Sequence, residues 1–508
     1  MDRSEQRWDT APMQDNHRHW PLLLLLGLGI YFALHVVIRA TGTAVLELDE
    51  AEQVIVTQWW LAGYSGQPPL YDWLQGAVFR VFGVNLWSLS ILKNSLLFLT
   101  WVFVFLAARC LLGDLRLAVL ATLSLFLIPQ VAWESQRDLS HSVIVTTVAA
   151  ASFYMMLRWL DRPHVWNYLL IGLLLGLGVL SKYNFLIFAA AAGMALLSFP
   201  RGRAVLLHPN ILWSALVAVL VMLPHGLWLW QNRDLGTRSL DKLDVGVGFW
   251  PWSGMGSSLV AVLAFLAPLL LVLGVVFKRD FARALVKRRG GPTPFPIHHY
   301  FWAVLGLLVL MALFGVSHFK DRWLLPLLLV FPLFIFAMMG AAALTEARVK
   351  AFVSVCLMMP LIVLVAMAWR VQKWPLVQDW HRYEDPFNEK VTQARALGFR
   401  RGLILGDRAV TAGNLRFRLP LSQAMTPGFN PEGVQCSDRD DLLVAWNAER
   451  YQRIPKRLKA LLEAELGLSV EDVEARWQKS IAGGGSQMGV LVLPDALAEN
   501  CRIIPIPN

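Results

Sequence analysis

Between Leu46 and Gln53 the chain reads LELDEAEQ, which sets Glu47, Asp49, Glu50 and Glu52 directly behind an almost wholly apolar stretch, Trp20 to Ala40. Acids beside a bilayer cost free energy, so a use for them is expected. Three later segments are polar in the same abrupt way. WESQRDLSH (133–141) carries Glu134, Arg137 and Asp138, SKYN (181–184) carries Lys182, and SHFKDRW (317–323) carries His318, Lys320 and Arg322. Acids dominate the first segment and bases mark the later ones. A carboxylate can take a proton from a hydroxyl, or hold Mg²⁺ or Mn²⁺, and both uses stay open at this point. A basic cluster neutralises a departing phosphate. Together they are the minimal apparatus for glycosyl transfer from a phosphate carrier. On a helix Asp49 would share a face with Gln53, and Glu134 with Asp138.

These residues need a membrane scaffold to bring them together. Of the 508 residues 56% are hydrophobic and only 16% charged, and the apolar residues come in blocks that match the ~20 helical residues needed to cross a bilayer. Spans are expected at roughly 20–40, 87–108, 117–133, 142–158, 165–181, 183–199, 210–230, 257–277, 300–316, 323–341 and 351–369. The first lies behind a polar tail, residues 1–19, and lacks a small-residue cleavage site, so it reads as a retained helix. With a cytoplasmic N-terminus, the basic loops RCLLGDLR, RWLDR, RGR, KRDFARALVKRR and EARVK fall on one side. That is the positive-inside pattern of a bacterial inner-membrane protein. It makes the net charge of +10 topological, and it excludes a nucleic-acid footprint.

The four polar segments then share the outer face. The division expected is a membrane domain over 20–369, with a first outer loop over 41–86, and a soluble periplasmic domain over 370–508. That last segment has strand candidates GLILGD and GVLVLP around a helical stretch near Arg453–Ser480, which reads as a small α/β unit. Cys110 and Cys356 fall in or beside spans, whereas Cys436 and Cys501 lie in the outer domain, where an oxidising compartment would allow a disulfide between them.

Compartment also limits the donor. Nucleotide sugars are cytoplasmic, and the chain carries neither a P-loop nor a glycine-rich dinucleotide fingerprint. The triplet DRD at 438–440 reads as exposed polar residues. A sugar carried on a polyprenyl phosphate reaches the outer face within the membrane, and its acceptor there would be an envelope glycolipid, another glycan or a protein. A lipid or solute transporter is the rival class. It would place polar residues deep in several helices and often repeat one half, and neither pattern is evident.

LDEAEQ followed by GYSGQPPLYDWL resembles the first-loop signature of the dolichyl-phosphate-mannose-protein mannosyltransferase-like proteins, glycosyltransferase family 39. QRDLSHS is similar to the family's second acidic loop, GLGVLSKYNFLIF to its Ser/Thr-Lys-Tyr segment, and HFKDRWLLPLLLVFPL to its Leu-Leu-Pro element. The resemblance covers roughly residues 20–340. It implies a GT-C fold with two short helices along the membrane in the first loop. It also implies Asp49 as the base that activates the acceptor, Glu50 as its support, and Lys182 and Arg322 on the donor phosphate, with Asp138 positioning the acceptor or coordinating a metal. Lys320, His318 and Arg137 extend the basic cluster, and Glu134 the acidic one. Gln67 stands where many members have His, and Gln67, Pro68, Pro69 and Tyr71 form the loop element expected to border substrate. Plainer readings compete at several places. Lys182 would simply snorkel, Trp59, Trp60, Tyr64, Tyr71 and Trp73 would form an interfacial belt, and the glycines of GLLLGLGVL would serve close helix packing.

Overall fold

The computed structural model describes residues 19–64, 66–234, 251–286, 293–371, 386–429, 441–447, 450–451, 453–466 and 488–493. The chain is mainly helical. Its apolar blocks form α1 (Trp20–Thr41), α4 (Leu86–Leu112), α7 (His141–Asp161), α11 (Ile211–Gln231) and helices Pro251–Phe277 and Glu346–Val371, six helices among the described residues that are long and apolar enough to cross a membrane. Three bent pairs raise that number to nine if each is one span, and two shorter apolar helices are α8 (Val165–Ser181) and Ile297–Leu313. In chain order these elements occupy the eleven places expected from hydropathy.

Bends fall inside the expected spans 117–133 and 323–341, and a third closes the expected span 183–199. Helix α5 (Leu115–Leu123) continues through a tight turn and then breaks by 72° into a π-helical turn, Gln130–Glu134, and α6 (Ser135–Arg137). Helix α9 (Phe185–Leu197) breaks by 119° into α10 (Pro200–Leu206), and Asp321–Leu328 breaks by 50° into Phe331–Met339. Pro129, Pro200 and Pro332 sit at these breaks. Proline lacks the N–H that an uninterrupted helix needs and fits the first turn of a new one. Elsewhere the reversals are sharp: Gly113 ends α4 in the left-handed region (φ 67°), and the Asp114 side chain accepts from Leu117 N at 2.9 Å to open α5. The α8 glycines do serve packing. A Cβ on Gly172 would lie 2.4 Å from the Ser214 carbonyl oxygen of α11.

The first loop contains two short helices, α2 (Leu48–Val56) and α3 (Leu70–Phe82). Glu47 and Glu50 form a capping box at the start of α2, with Glu47 N donating to Glu50 Oε2 at 3.0 Å. Pro68 and Pro69 are buried, and Pro69 caps α3.

The C-terminal part folds on a four-stranded sheet in the order β2–β1–β3–β4, with β1 Gly402–Gly406, β2 Gln423–Met425, β3 Asp441–Asn447 and β4 Met488–Leu493. Strand β1 runs parallel to β2 and β3, and β4 antiparallel to β3. The two expected strands are β1 and β4, and the expected helical stretch contains helix Lys456–Leu466. Cys436, Cys501 and the 438–440 triplet lie outside the described residues.

This unit is built onto the first loop. Asn414, on helix Ala409–Arg418, accepts from Leu46 N (2.8 Å) and donates to Leu46 O (3.1 Å). Arg416 donates to Val54 O at 2.5 Å, and Gln58 exchanges two 2.8 Å bonds with the backbone of Ala424. Val45, Ile55, Val56, Trp59 and Tyr64 of the loop belong to the same apolar core as β1–β4. The expected aromatic belt is thereby corrected. Trp59 and Tyr64 are buried and Trp73 half-buried against the core of the sheet unit, Tyr71 is buried in the core of the membrane helices, and Trp60 is exposed. Replacing Asn414 by Ala strips two partners from a buried backbone segment, which costs about 1–3 kcal/mol. Thermal unfolding in detergent should show the loss, and limited proteolysis should show the 41–64 segment cut sooner than in wild type.

Candidate active site

The start of α7 is the meeting point. Asp49, half-buried on α2, accepts from Ser140 N (2.7 Å) and Ser140 Oγ (3.0 Å), both at its Oδ2. Its Oδ1 makes no hydrogen bond among the described residues. Two residues further along, Ser142 Oγ accepts from Lys182 Nζ at 2.7 Å. Lys182 therefore does more than reach for the membrane surface. Asp138 closes the acidic side: its Oδ1 accepts from Asp49 N at 3.3 Å. Between Asp138 and Ser140, Leu139 has φ 80°, a conformation that costs a non-glycine residue on the order of 1–2 kcal/mol. That cost is consistent with a backbone turned to aim both neighbours at Asp49. The N-terminus of α7 also adds partial positive charge here.

Electrostatics separates the acids. Burial first, and the charge of Asp49 second, push the Asp138 carboxyl from its usual 3.8 to about 7. Burial would likewise raise Glu50, but the Arg39 guanidinium, bonded through Nε at 2.8 Å and Nη2 at 2.5 Å, holds it at about 2. Glu50 thus anchors α2 to α1. Glu47 is paired with Arg370 in the same way. Asp72 is buried, accepts from Gln53 Nε2 at 2.6 Å and lies 3.6 Å from His141 Nε2, and burial pushes its carboxyl well above the usual range. Gln53 is thereby turned to Asp72, although it shares the α2 helix with Asp49. Tyr71 is buried against the His141 ring at 5.9 Å.

The remaining expected residues divide. Arg322 is exposed on the turn Asp321–Leu324, whose Trp323 carbonyl accepts from Asn184 at 3.0 Å, so it sits on the element joined to the Lys182 turn. Lys320 caps that turn half-buried, and His318 is exposed. Arg137 is not with Lys182: it pairs with Glu134 at 2.7 Å and faces a separate hollow. Gln67 is half-buried at the loop edge. Among the described residues no group of three or more His, Cys, Asp or Glu is arranged to hold a metal ion.

Residues 66–228 match the family described as dolichyl-phosphate-mannose-protein mannosyltransferase. Two proteins of Rhizobium johnstonii are similar over most of their length. Lipopolysaccharide core galacturonosyltransferase RgtB is 35% identical over 457 residues, which cover 88% of this chain and 91% of RgtB. The corresponding RgtA is 33% identical over 466 residues, with the same two shares. The chain belongs to the dolichyl-phosphate-mannose-protein mannosyltransferase family. Its fold is that of ArnT from Cupriavidus metallidurans, whose structure bound to undecaprenyl phosphate aligns with a TM-score of 0.60 at 11% identity, over 96% of this chain and 99% of ArnT. The apo form aligns at 0.62. This multi-pass membrane protein is a glycosyltransferase of the GT-C fold.

Sequence reasoning about this mannosyltransferase-family chain missed several site residues. Arg39 lies in the last turn of the apolar α1, and a cation there is itself the signal that could have found it. Ser140 and Ser142 carried no comparable mark. Breaking the Arg39–Glu50 pair by Arg39→Met leaves a buried carboxylate uncompensated, a loss of about 3–5 kcal/mol. Thermal unfolding should register it, and the double variant Arg39→Met/Glu50→Leu should recover much of it. Asp138 binds its proton more tightly folded than unfolded. The stability it contributes is full below about pH 3.8, declines as pH rises, and is gone above about 7. Unfolding across this range should show Asp138→Asn lacking that part of the decline.

Proposed function

We propose that the chain moves one sugar from a polyprenyl-phosphate carrier to a hydroxyl of an envelope glycolipid, with Asp49 as general base and Lys182 and Arg322 on the donor phosphate. One observation carries this reading: Asp49 and Lys182 are bonded to Ser140 and Ser142, so base and cation flank one helix start. Ser140 occupies one oxygen of Asp49 and leaves the other to accept the proton of the attacking hydroxyl. The oxygen so activated attacks the anomeric carbon, the bond to the carrier phosphate breaks, and the electron pair leaves on the phosphate. Lys182, Arg322 and the positive end of α7 stabilise that charge as it develops. Tyr71, Pro68, Pro69 and Gln67 border the acceptor side.

The relatives RgtA and RgtB, named for galacturonosyl transfer to the lipopolysaccharide core, support a uronic acid as the sugar and core lipopolysaccharide as the acceptor. The undecaprenyl phosphate bound to ArnT supports the carrier class. The positive-inside loops support a cytoplasmic N-terminus in a bacterial inner membrane, with α2, α3 and the β-sheet unit on the periplasmic side. A separately acting C-terminal domain is disfavoured by its fusion with the first loop.

Asp49→Asn keeps the size and the Ser140 contacts but removes the base, whose contribution is about 10²–10⁴-fold. The purified variant, given donor and acceptor in detergent, should insert and unfold as wild type does yet transfer at least a hundredfold more slowly. Transfer at the wild-type rate would remove Asp49 from the chemistry.

A further inference from the structure

A second polar hollow lies behind α2, between α1, α4 and helix Glu346–Val371, and the reading above gives it no task. Its charged lining is Arg39, Glu47, Glu50, Lys93, Arg137 and Arg370, four cations against two carboxylates. Both carboxylates are already held, Glu50 by Arg39 and Glu47 by Arg370. Arg137 reaches out of the lining to Glu134. Lys93 remains. It is 7% exposed, lies within Coulombic reach of Glu50 and Asp138, and makes no hydrogen bond or ion pair among the described residues. His35, 4% exposed, lines the same hollow, and its Nε2 has no hydrogen-bond partner among the described residues. A buried ammonium and a buried imidazole nitrogen that lack hydrogen-bond partners are both costly, and an oxyanion entering the hollow would satisfy both.

The position of the hollow says which substrate brings that oxyanion. Lys182 is bonded to Ser142, two residues beyond the Ser140 that holds Asp49. The hollow comes near the Asp49–Asp138 pair through Glu50 on α2 and through Gln136, which donates to Asn94 at 3.0 Å and precedes Arg137 and Asp138 in the chain. Lys182, which the reading above gives to the donor phosphate, does not line the hollow, and that leaves the hollow to the acceptor.

We propose that this hollow binds an anionic group, carboxylate or phosphate, of the acceptor glycan, with Lys93 as the principal contact, Arg137 at the rim and His35 as a donor from α1. The assignment rests on the transferase reading above and adds an acceptor class to it: a glycan that carries negative charge close to the hydroxyl attacked.

The test uses the full chain in detergent and core lipopolysaccharide in three forms: native, carboxyl-reduced and dephosphorylated. Wild type should lose at least one treated acceptor by about tenfold or more in KM, the size expected for a hydrogen bond to a charged group. Which treatment does so identifies the anion. Lys93→Met should raise the KM for native acceptor by a similar factor, leave the donor KM within about twofold, and bring native and treated acceptors to near-equal use. Lys93→Arg should restore most of the preference, which a merely structural role for Lys93 would not predict. If Lys93→Met does not fold, Arg137→Gln carries the test, with a smaller shift in the same direction. The proposal is overturned if wild type uses all three acceptors equally, if the variants discriminate as wild type does, or if the defect falls on the donor KM. Absence of transfer by wild type with native substrates would instead count against the transferase reading itself.

Discussion

Burying Glu50 against Arg39 is the constraint on which the site depends. Helix α2 is nine residues long, too short to hold its own geometry in water. It is fixed on one face by this ion pair and by Glu47–Arg370, and on the other by Asn414, Arg416 and the apolar core of the C-terminal sheet. Held between these two clamps, α2 turns Asp49 toward the start of α7. A buried pair of this kind gains little net stability. Its effect is positional, because the alternatives leave charge without a partner.

The same start of α7 ties the acids to the bases. Ser140 and Ser142 are successive polar residues on either side of His141, and they bring a residue from the first loop and one from the α8–α9 turn to one helix terminus. Their Asp138 neighbour is kept from ionising until about pH 7 by burial and by Asp49. Below about pH 7 a second full negative charge is thus withheld from the side of Asp49. Leu139, in the left-handed region, gives the turn its direction.

Much of the architecture was legible because a bilayer enforces it. Apolar runs of fixed length, Pro129, Pro200 and Pro332 at the breaks, and glycines where α8 meets α11 all follow from satisfying backbone groups and packing helices without water. Asp49, Asp138, Lys182 and Arg322 were visible because charge at a helix end stands out against such a background. Arg39 and Lys93 were harder: each is one cation in a long apolar run and passes for a flank until its partner or lack of one is seen. The three-residue β2 has too little pattern to be read, and β3 (DLLVAWN) is as apolar as a short helix. The docking of the sheet on the first loop rests on Asn414, Arg416 and Gln58, polar residues whose partners lie more than 360 positions away. No local signal announces such pairs.

The most direct test of the account is a structure of the protein with a non-transferable polyprenyl phosphonate-sugar. The account predicts the phosphonate at Lys182 beside Ser142, within reach of Arg322, with the anomeric carbon facing the unbonded oxygen of Asp49 across a gap wide enough for a hydroxyl. A phosphonate seated in the Lys93 hollow, or an anomeric carbon turned away from Asp49, would contradict it.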